Sequence, residues 1–103
     1  MRRCPLSALA VLLIAAITLQ AEPTGIVSHI KRVPVESTAL ATVGYSKKLR
    51  ALEIEFRNGA IYRYLDVAPE VYDGLINARS KARFYDDNIR HKYRSLHVRP
   101  RAP

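Results

Sequence analysis

The sequence predicts an α+β fold in which a three-stranded antiparallel meander is followed by two short helices. Residues 52–56 ("LEIEF") alternate strictly between apolar and acidic side chains, which is the pattern of a half-buried strand. Asn58-Gly59 follows directly, and both residue types tolerate the positive φ of a hairpin turn. After Pro69 the apolar residues recur at helical spacing. Strands grouped first and helices grouped second are typical of the α+β class.

The chain begins with the layout of a secretory signal peptide over residues 1–21. Arg2 and Arg3 give a basic start, residues 6–19 form an uncharged run of 14 residues, and Ala21 provides a small residue for cleavage. That run is shorter than the roughly 20 residues that a membrane-spanning helix needs. We therefore expect an exported protein, periplasmic or secreted, without a transmembrane span after cleavage. An uncleaved N-terminal anchor is the alternative.

The composition of the expected mature chain, which begins at Glu22, limits its chemistry. Cys4 is the only cysteine and lies in the segment to be removed, so no disulfide, thiol nucleophile or cysteine metal ligand is expected. Losing Arg2 and Arg3 from 17 basic residues leaves 15 Lys and Arg against 9 Asp and Glu. This excess favours anionic partners without selecting one.

Residues 22–36 contain two prolines and a glycine and are expected to be an extended linker. The first strand is expected over residues 38–45, with Val43 and Tyr45 on one side and Leu40 on the other. The third strand is expected over residues 60–67, after the hairpin.

The helical part begins at Pro69, where the missing N–H of proline is no loss. A short amphipathic helix is predicted over residues 69–78, and Ser80 is a candidate cap for a second helix. The basic, proline-rich residues 97–103 are expected to be a flexible tail, so the folded domain is predicted over residues 37–96. A domain of this size buries only about 60% of its unfolded surface, so its few large side chains are needed for the core.

The length of the hairpin loop determines which way Tyr62 and Tyr64 face. With a two-residue loop at positions 58–59, Ile54 pairs with Arg63. This arrangement places an arginine on the apolar face. Both tyrosines then lie outside, as a platform for stacking nucleic-acid bases would require.

A three-residue hairpin loop over residues 57–59 gives the opposite arrangement. Ile54 then pairs with Tyr62 on the core face, and Tyr64 lies on the same face. Glu53 faces Arg63 on the outside, as an attractive cross-strand pair. This register buries no lone charge and is the one we favour.

Four segments in unbroken order resemble the KTSC domain: "VGY", "LEIEF", "NGAIYRYLDVAPEVYDGL" and "ARSKARFYDDNIRHKY". That family is named for its occurrence at the C-terminus of some lysyl-tRNA synthetases, and it also occurs as a stand-alone bacterial protein. The resemblance depends on Tyr62, Tyr64, Val67, Pro69, Val71, Tyr72, Ser80, Lys81, Phe84, Tyr85, Ile89 and Arg90. Ala82 and Asp86 depart from the family, which usually has glycine and asparagine there. The resemblance implies no established activity, only RNA binding by analogy with the synthetase, and export of this chain would oppose it.

The residues needed for catalysis or for a metal site are not grouped in the sequence. No serine lies in a strained, glycine-flanked turn. His91 and His97 lie across the expected end of a helix, with no fixed metal geometry. Glu53 and Glu55 alternate with core residues and are expected on the outer face of the sheet. We therefore expect no enzyme, no metal and no cofactor.

The strongest candidate site is a set of basic residues in two groups and one further arginine. Such residues grip phosphates or other polyanions without reading a sequence. The set comprises Lys47, Lys48, Arg50, Arg79, Lys81, Arg83 and Arg90. The expected function is a monomeric, non-enzymatic binding module for an anionic polymer or surface. The alternatives are a protein-interaction module of the cell envelope, using an open sheet edge or the outer sheet face, and RNA binding if the chain is not exported.

Overall fold

The structure, a computed structural model, describes residues 25–100 and contains one antiparallel sheet whose five strands lie side by side in chain order. The strands and helices are, in sequence order, β1 (Val33–Pro34), β2 (Leu40–Ser46), β3 (Ala51–Phe56), β4 (Ile61–Tyr64), α1 (Pro69–Asn77), α2 (Lys81–Asn88) and β5 (Ser95–Val98). The predicted signal peptide lies outside the described residues.

The α+β class and the meander are confirmed, but the sheet has five strands rather than three. The predicted strands are β2, β3 and β4. β5 pairs with β4, with Tyr62 opposite His97 and Ile61 opposite Val98. Residues 97 and 98 therefore belong to a strand and not to a flexible tail. Basic residues on both sides of this short segment, and the proline after it, obscured it in the sequence.

The hairpin between β3 and β4 has the three-residue loop. The amide of Phe56 donates to the carbonyl of Ala60 at 2.8 Å, and Gly59 has a φ of +94°. Ile54 accordingly lies opposite Tyr62. Glycine adopts this positive φ without a steric cost, which fixes the longer loop. The register that places both tyrosines on the core face is confirmed.

The first predicted strand is correct in position but wrong in its side-chain directions. Leu40 was expected on the other face of the strand from Val43 and Tyr45. Instead, Leu40 and Val43 are both fully buried in the same core. The pairing register shifts between Leu40 and Thr42. A β-bulge inserts one extra residue into a strand, so the side chains before the bulge point to the opposite face from the one that regular alternation gives. Leu40 therefore points to the core face.

The core lies between one face of the sheet and the two helices. Its buried residues are Leu40, Val43, Leu52, Ile54, Tyr64, Val67, Leu75 and Ile89. α1 begins at Pro69 as predicted, and the hydroxyl of Ser80 accepts from the amide of Arg83 at 3.2 Å, which confirms the predicted cap of α2. α2 ends at Asn88, and the chain then turns at His91, which has a φ of +62°.

Residues 25–34, which we call the strap, cross the outer face of the sheet from one edge to the other. At one edge, the amide of Ile26 donates to the carbonyl of His97 at 2.9 Å. At the other edge, Val33 and Pro34 form β1 and pair with Val43 and Thr42. The predicted linker is therefore extended, but its described part is packed on the sheet and is not free.

Alternation along the strap explains why it lies flat on the sheet. Ile26, Ser28, Ile30 and Arg32 are buried or half-buried, whereas the residues between them are exposed. The inward set mixes apolar and polar side chains, so the period of two was hidden in the sequence. A Cβ on Gly44 would collide with the backbone carbonyl of Lys31, so glycine is required where the strap crosses β2.

Candidate functional site

The first group of predicted basic residues lies in the turn between β2 and β3, which we call the turn patch (Lys47, Lys48 and Arg50). All three side chains are exposed. The amide of Val67 donates to the carbonyl of Arg50 at 2.9 Å, so the turn is held against the chain just before α1. Ion pairs among the described residues involve Arg32, Arg63 and Arg90 as the cations, so the turn patch takes part in none of them.

The second predicted group lies at the junction between α1 and α2. Arg79 and Arg83 are exposed, whereas Lys81 is half-buried and donates to the carbonyl of Ala78 at 3.0 Å. This junction follows the end of α1, while the turn patch adjoins its beginning. A helix of nine residues is about 13 Å long, so the two groups are separate patches. Arg90 lies beyond α2 and pairs with Asp86 at 3.3 Å.

A groove of about 550 Å³ lies between the strap and the turn patch. Its described lining residues include no Asp or Glu and are Val27, His29, Ile30, Lys31, Tyr45, Ser46, Lys48, Leu49 and Arg63. Lys31 and Lys48 come from opposite walls, one from the strap and one from the turn. Sequence reasoning missed this groove because it did not place the strap on the sheet.

A network of three ionic side chains lies beneath the strap. Glu53 is fully buried, although it was expected only as part of a polar outer face. Its Oε2 atom pairs with Nη2 of Arg63 at 2.8 Å, and its Oε1 atom pairs with Nη1 of Arg32 at 2.9 Å. The predicted pairing of Glu53 with Arg63 is confirmed. The second arginine was missed because it comes from the segment predicted as a linker.

Glu55 and Ile61 face each other on the same outer surface as Glu53. Glu55 accepts a hydrogen bond from the hydroxyl of Thr42 at 3.0 Å. Ile61 is buried despite its outward direction, since its neighbour Val98 lies at the edge that Ile26 of the strap covers. The structure does not support a role of Glu53 and Glu55 as a catalytic pair, because the carboxylate of Glu53 is held by two arginines.

Most of the residues that carry the family resemblance pack in the core or shape the backbone. Tyr72 stacks on Tyr45 with the ring centroids 5.5 Å apart. Burial raises the pKa of the Tyr72 hydroxyl above its ordinary value. Val67 and Ile89 are fully buried. Phe84 lies against Gly74, where it closes the contact between α1 and α2.

Three of the motif residues, Tyr62, Tyr64 and Tyr85, open into a second concave site, which we call the tyrosine pocket. This pocket has a volume of about 230 Å³. Its lining residues are Phe56, Tyr62, Tyr64, Tyr85, Arg90, His91, Tyr93 and Ser95. The hydroxyls of Tyr64 and Tyr85 form a hydrogen bond of 2.7 Å. Burial, and then this hydrogen bond, raise the pKa of the Tyr64 hydroxyl far above its ordinary value, so it stays protonated into the alkaline range.

The histidines are dispersed over the described structure. His29 is exposed on the strap, His91 borders the tyrosine pocket, and His97 meets the ring of Tyr62 edge-on at 5.5 Å. Over residues 25–100, no three His, Asp or Glu side chains are grouped closely enough to hold a metal ion. No helix in that range is both long and apolar enough to cross a membrane.

Comparison with known proteins finds relatives across most of the described domain. The chain is 38% identical over 63 residues to a protein from Tsukamurella paurometabola, which is 61% of this chain and 94% of the relative. It is 42% identical over 57 residues to a small protein from Stutzerimonas stutzeri, covering 55% of this chain and 80% of the relative. It is also 34% identical over 59 residues to a lysine–tRNA ligase from Nostoc punctiforme, but this match spans 57% of this chain and only 10% of the ligase.

The fold and the family model agree with these relatives. The crystal structure of a KTSC domain protein from Yersinia pestis matches with a TM-score of 0.66 and 34% identity, over 68% of this chain and 99% of that one. The family model of the KTSC domain matches residues 36–93, which is more than half of the chain. The chain therefore belongs to the KTSC domain family.

Proposed function

We propose that this protein is an exported, non-enzymatic binding module that holds an anionic polymer or surface at the turn patch and the adjoining groove. The observation that carries the proposal is the arrangement of cations on both sides of the groove. Lys31 of the strap and Lys48 of the turn line it from opposite walls, and Lys47 and Arg50 extend the positive surface beside it. Such a strip tracks a charged backbone and does not read a sequence.

The ion network supports the same location. Arg32 and Arg63 are both paired with Glu53, whereas the turn patch has no carboxylate partner among the described residues. A cation without a partner loses little when an anion binds, because no existing ion pair has to be broken. The patch at the α1–α2 junction, on the far side of α1, adds general positive charge and is not part of the proposed site.

Retention on a heparin column tests the proposal. The test variant carries Lys47→Gln, Lys48→Gln and Arg50→Gln. The matched control carries Arg79→Gln, Arg83→Gln and Lys92→Gln, which remove the same charge from exposed positions elsewhere. We expect the test variant to elute at clearly lower salt than the control. Equal elution of the two would mean that only net charge matters, and the site would be rejected.

The alternative of a protein-interaction module loses support at the surfaces first considered for it. The strap pairs with β2 at one edge of the sheet and with β5 at the other, and it covers the outer face between them. A partner strand would have to displace the strap at these positions before it could bind there.

RNA is a second candidate for the polyanion, because one relative is a lysine–tRNA ligase. That candidate requires the chain to stay in the cytoplasm. Determining the N-terminus of the protein from its native host separates the two cases. A mature N-terminus at Glu22 in an envelope or secreted fraction favours an exported polyanion binder. An intact Met1 in a cytoplasmic fraction favours RNA.

A further inference from the structure

We propose that the tyrosine pocket binds a small planar anion, namely a single-ring aromatic carboxylate. This site shares no lining residue with the groove at the turn patch. The two sites are therefore independent, and the second goes beyond the polyanion binding proposed above. Three features of the pocket carry the proposal: a hydroxyl proton without an acceptor, a cation at the rim, and walls made of aromatic rings.

The hydroxyl proton belongs to the pair formed by Tyr64 and Tyr85. The two phenols have two protons between them, but their mutual hydrogen bond of 2.7 Å uses only one. Neither hydroxyl makes a further hydrogen bond to the described residues. This hydrogen bond raises the pKa of Tyr64, which means that Tyr64 donates it, so the unused proton lies on the half-buried Tyr85. A ligand oxygen placed in the pocket can accept that proton.

The cation is Arg90, and it makes the pocket selective for an anion. Its partner Asp86 lies at 3.3 Å, and both side chains are 55% exposed. An exposed pair of this kind contributes little, so the guanidinium can turn to a better acceptor. None of the residues that line the pocket is an Asp or Glu. A carboxylate can accept two parallel N–H bonds from a guanidinium, which a neutral ligand cannot match in strength.

The aromatic walls set the shape of the ligand. Five of the eight lining residues carry aromatic six-membered rings: Phe56, Tyr62, Tyr64, Tyr85 and Tyr93. Rings prefer to pack against another ring in offset or edge-to-face geometry. The volume of about 230 Å³ lies below the roughly 300 Å³ at which pockets begin to accept drug-sized ligands. A single aromatic ring with its carboxylate fills such a space, whereas a polymer chain is too large to enter it.

Titration of the full-length chain with benzoate, followed by calorimetry and by amide chemical shifts in NMR, tests this proposal. Benzamide keeps the ring without the charge, and acetate keeps the charge without the ring. We expect saturable benzoate binding with a Kd on the order of 1 mM, which is reasonable for so small a ligand. Both comparators should bind at least about tenfold more weakly. The largest shifts should fall on the residues around the pocket.

Two substitutions identify the groups that hold the carboxylate. Tyr85→Phe removes one hydroxyl and keeps the ring, and Arg90→Gln removes the cation. Each should weaken benzoate binding by about tenfold, the usual effect of losing a charge-assisted hydrogen bond. Arg94→Gln, an exposed arginine outside the lining, is the matched control and should leave the Kd unchanged. Thermal unfolding of each variant shows whether it still folds.

Several results would overturn the proposal: no saturable binding, equal binding of benzamide, shifts located away from the pocket, or unchanged affinity in folded Arg90→Gln. If Arg90→Gln does not fold, Tyr85→Phe alone decides the question. None of these outcomes affects the heparin experiment, because that experiment alters residues outside the pocket.

Discussion

Glu53 and Arg63 lie directly opposite each other on β3 and β4, and their side chains form an ion pair of 2.8 Å with the glutamate fully buried. The other carboxylate oxygen of Glu53 is taken by Arg32 of the strap at 2.9 Å. One acidic side chain therefore joins the sheet to the segment that covers it. This arrangement makes the closure of the outer face depend on a single buried charge.

Replacing Glu53 with glutamine should destabilise the protein by about 2–4 kcal/mol. The two arginines would then face each other without a counter-charge, and removing one partner of a buried pair typically costs about 3–5 kcal/mol. We expect somewhat less than the upper value because Arg32 and Arg63 retain 21% and 15% side-chain exposure. Urea unfolding measures the change. The control Glu36→Gln, at an exposed position, should change stability by less than about 0.5 kcal/mol. Similar losses of stability in both variants would show that the buried ion network of Glu53 stabilises the fold no more than an exposed glutamate does.

Replacing Gly44 with alanine should loosen the strap. The added Cβ would meet the backbone carbonyl of Lys31, and backbone moves less readily than the end of a side chain. We expect a loss of about 1–3 kcal/mol, typical of overpacking, and faster hydrogen exchange at the amide of Val35, which donates to Ala41 next to the strap.

Gly59→Ala is the matched comparison for Gly44→Ala. At Gly59 no atom lies within 4 Å of the new Cβ, and only the φ of +94° opposes alanine. That variant should lose about 1 kcal/mol without any change in exchange at Val35. If Gly59→Ala accelerated exchange at Val35 as much as Gly44→Ala does, the contact between Gly44 and Lys31 would not explain the effect.

The buried hydroxyl of Tyr64 should make the fold sensitive to alkaline pH. Its pKa in the folded state lies above the ordinary value of about 10, chiefly because of burial. Below pH ~10 the folded and unfolded states both keep the proton, and stability is unaffected. Above pH ~10 the unfolded state loses this proton first, so stability falls by up to about 1.4 kcal/mol per pH unit for this group.

Unfolding of Tyr64→Phe as a function of pH checks this expectation. Above pH ~10, the unfolding free energy of the variant should fall less steeply with pH than that of the parent. The difference in slope should correspond to about one proton. Tyr93→Phe, at a half-buried position in the same pocket, serves as the control and should change this slope less. An unchanged slope in Tyr64→Phe would contradict the buried, neutral state of the hydroxyl.

The parts of the fold that local chemistry decides could be predicted from the sequence. Asn58-Gly59 and the cost of burying a lone charge led to the correct hairpin register, and Ser80 marked the start of α2. The strap could not be predicted in the same way, because Ser28 and Arg32 face inward only to reach Arg63 and Glu53. Those partners lie far away in the sequence, so no local period indicates them.

The candidate sites depend on the same distant contacts. The cations of the turn patch were visible in the sequence, but the groove beside them exists only because the strap lies on the sheet. Likewise, the family tyrosines were correctly assigned to the core face, yet the pocket needs the turn at His91 to bring Arg90 and Tyr93 back toward β4. The residue types at each site could be predicted from the sequence, but the contacts that bring those residues together could not.

The salt dependence of polyanion binding tests the proposed function most directly. A single-stranded oligonucleotide is a suitable defined polyanion, and the slope of the logarithm of the binding constant against the logarithm of salt concentration counts the phosphate contacts, at about 0.7 per contact. Combining Lys47→Gln, Lys48→Gln and Arg50→Gln should reduce the magnitude of this slope by about 2. The equally charged control of Arg79→Gln, Arg83→Gln and Lys92→Gln should reduce it by less than about 1. Equal reductions in the two variants, or none in the first, would contradict a polyanion site at the turn patch.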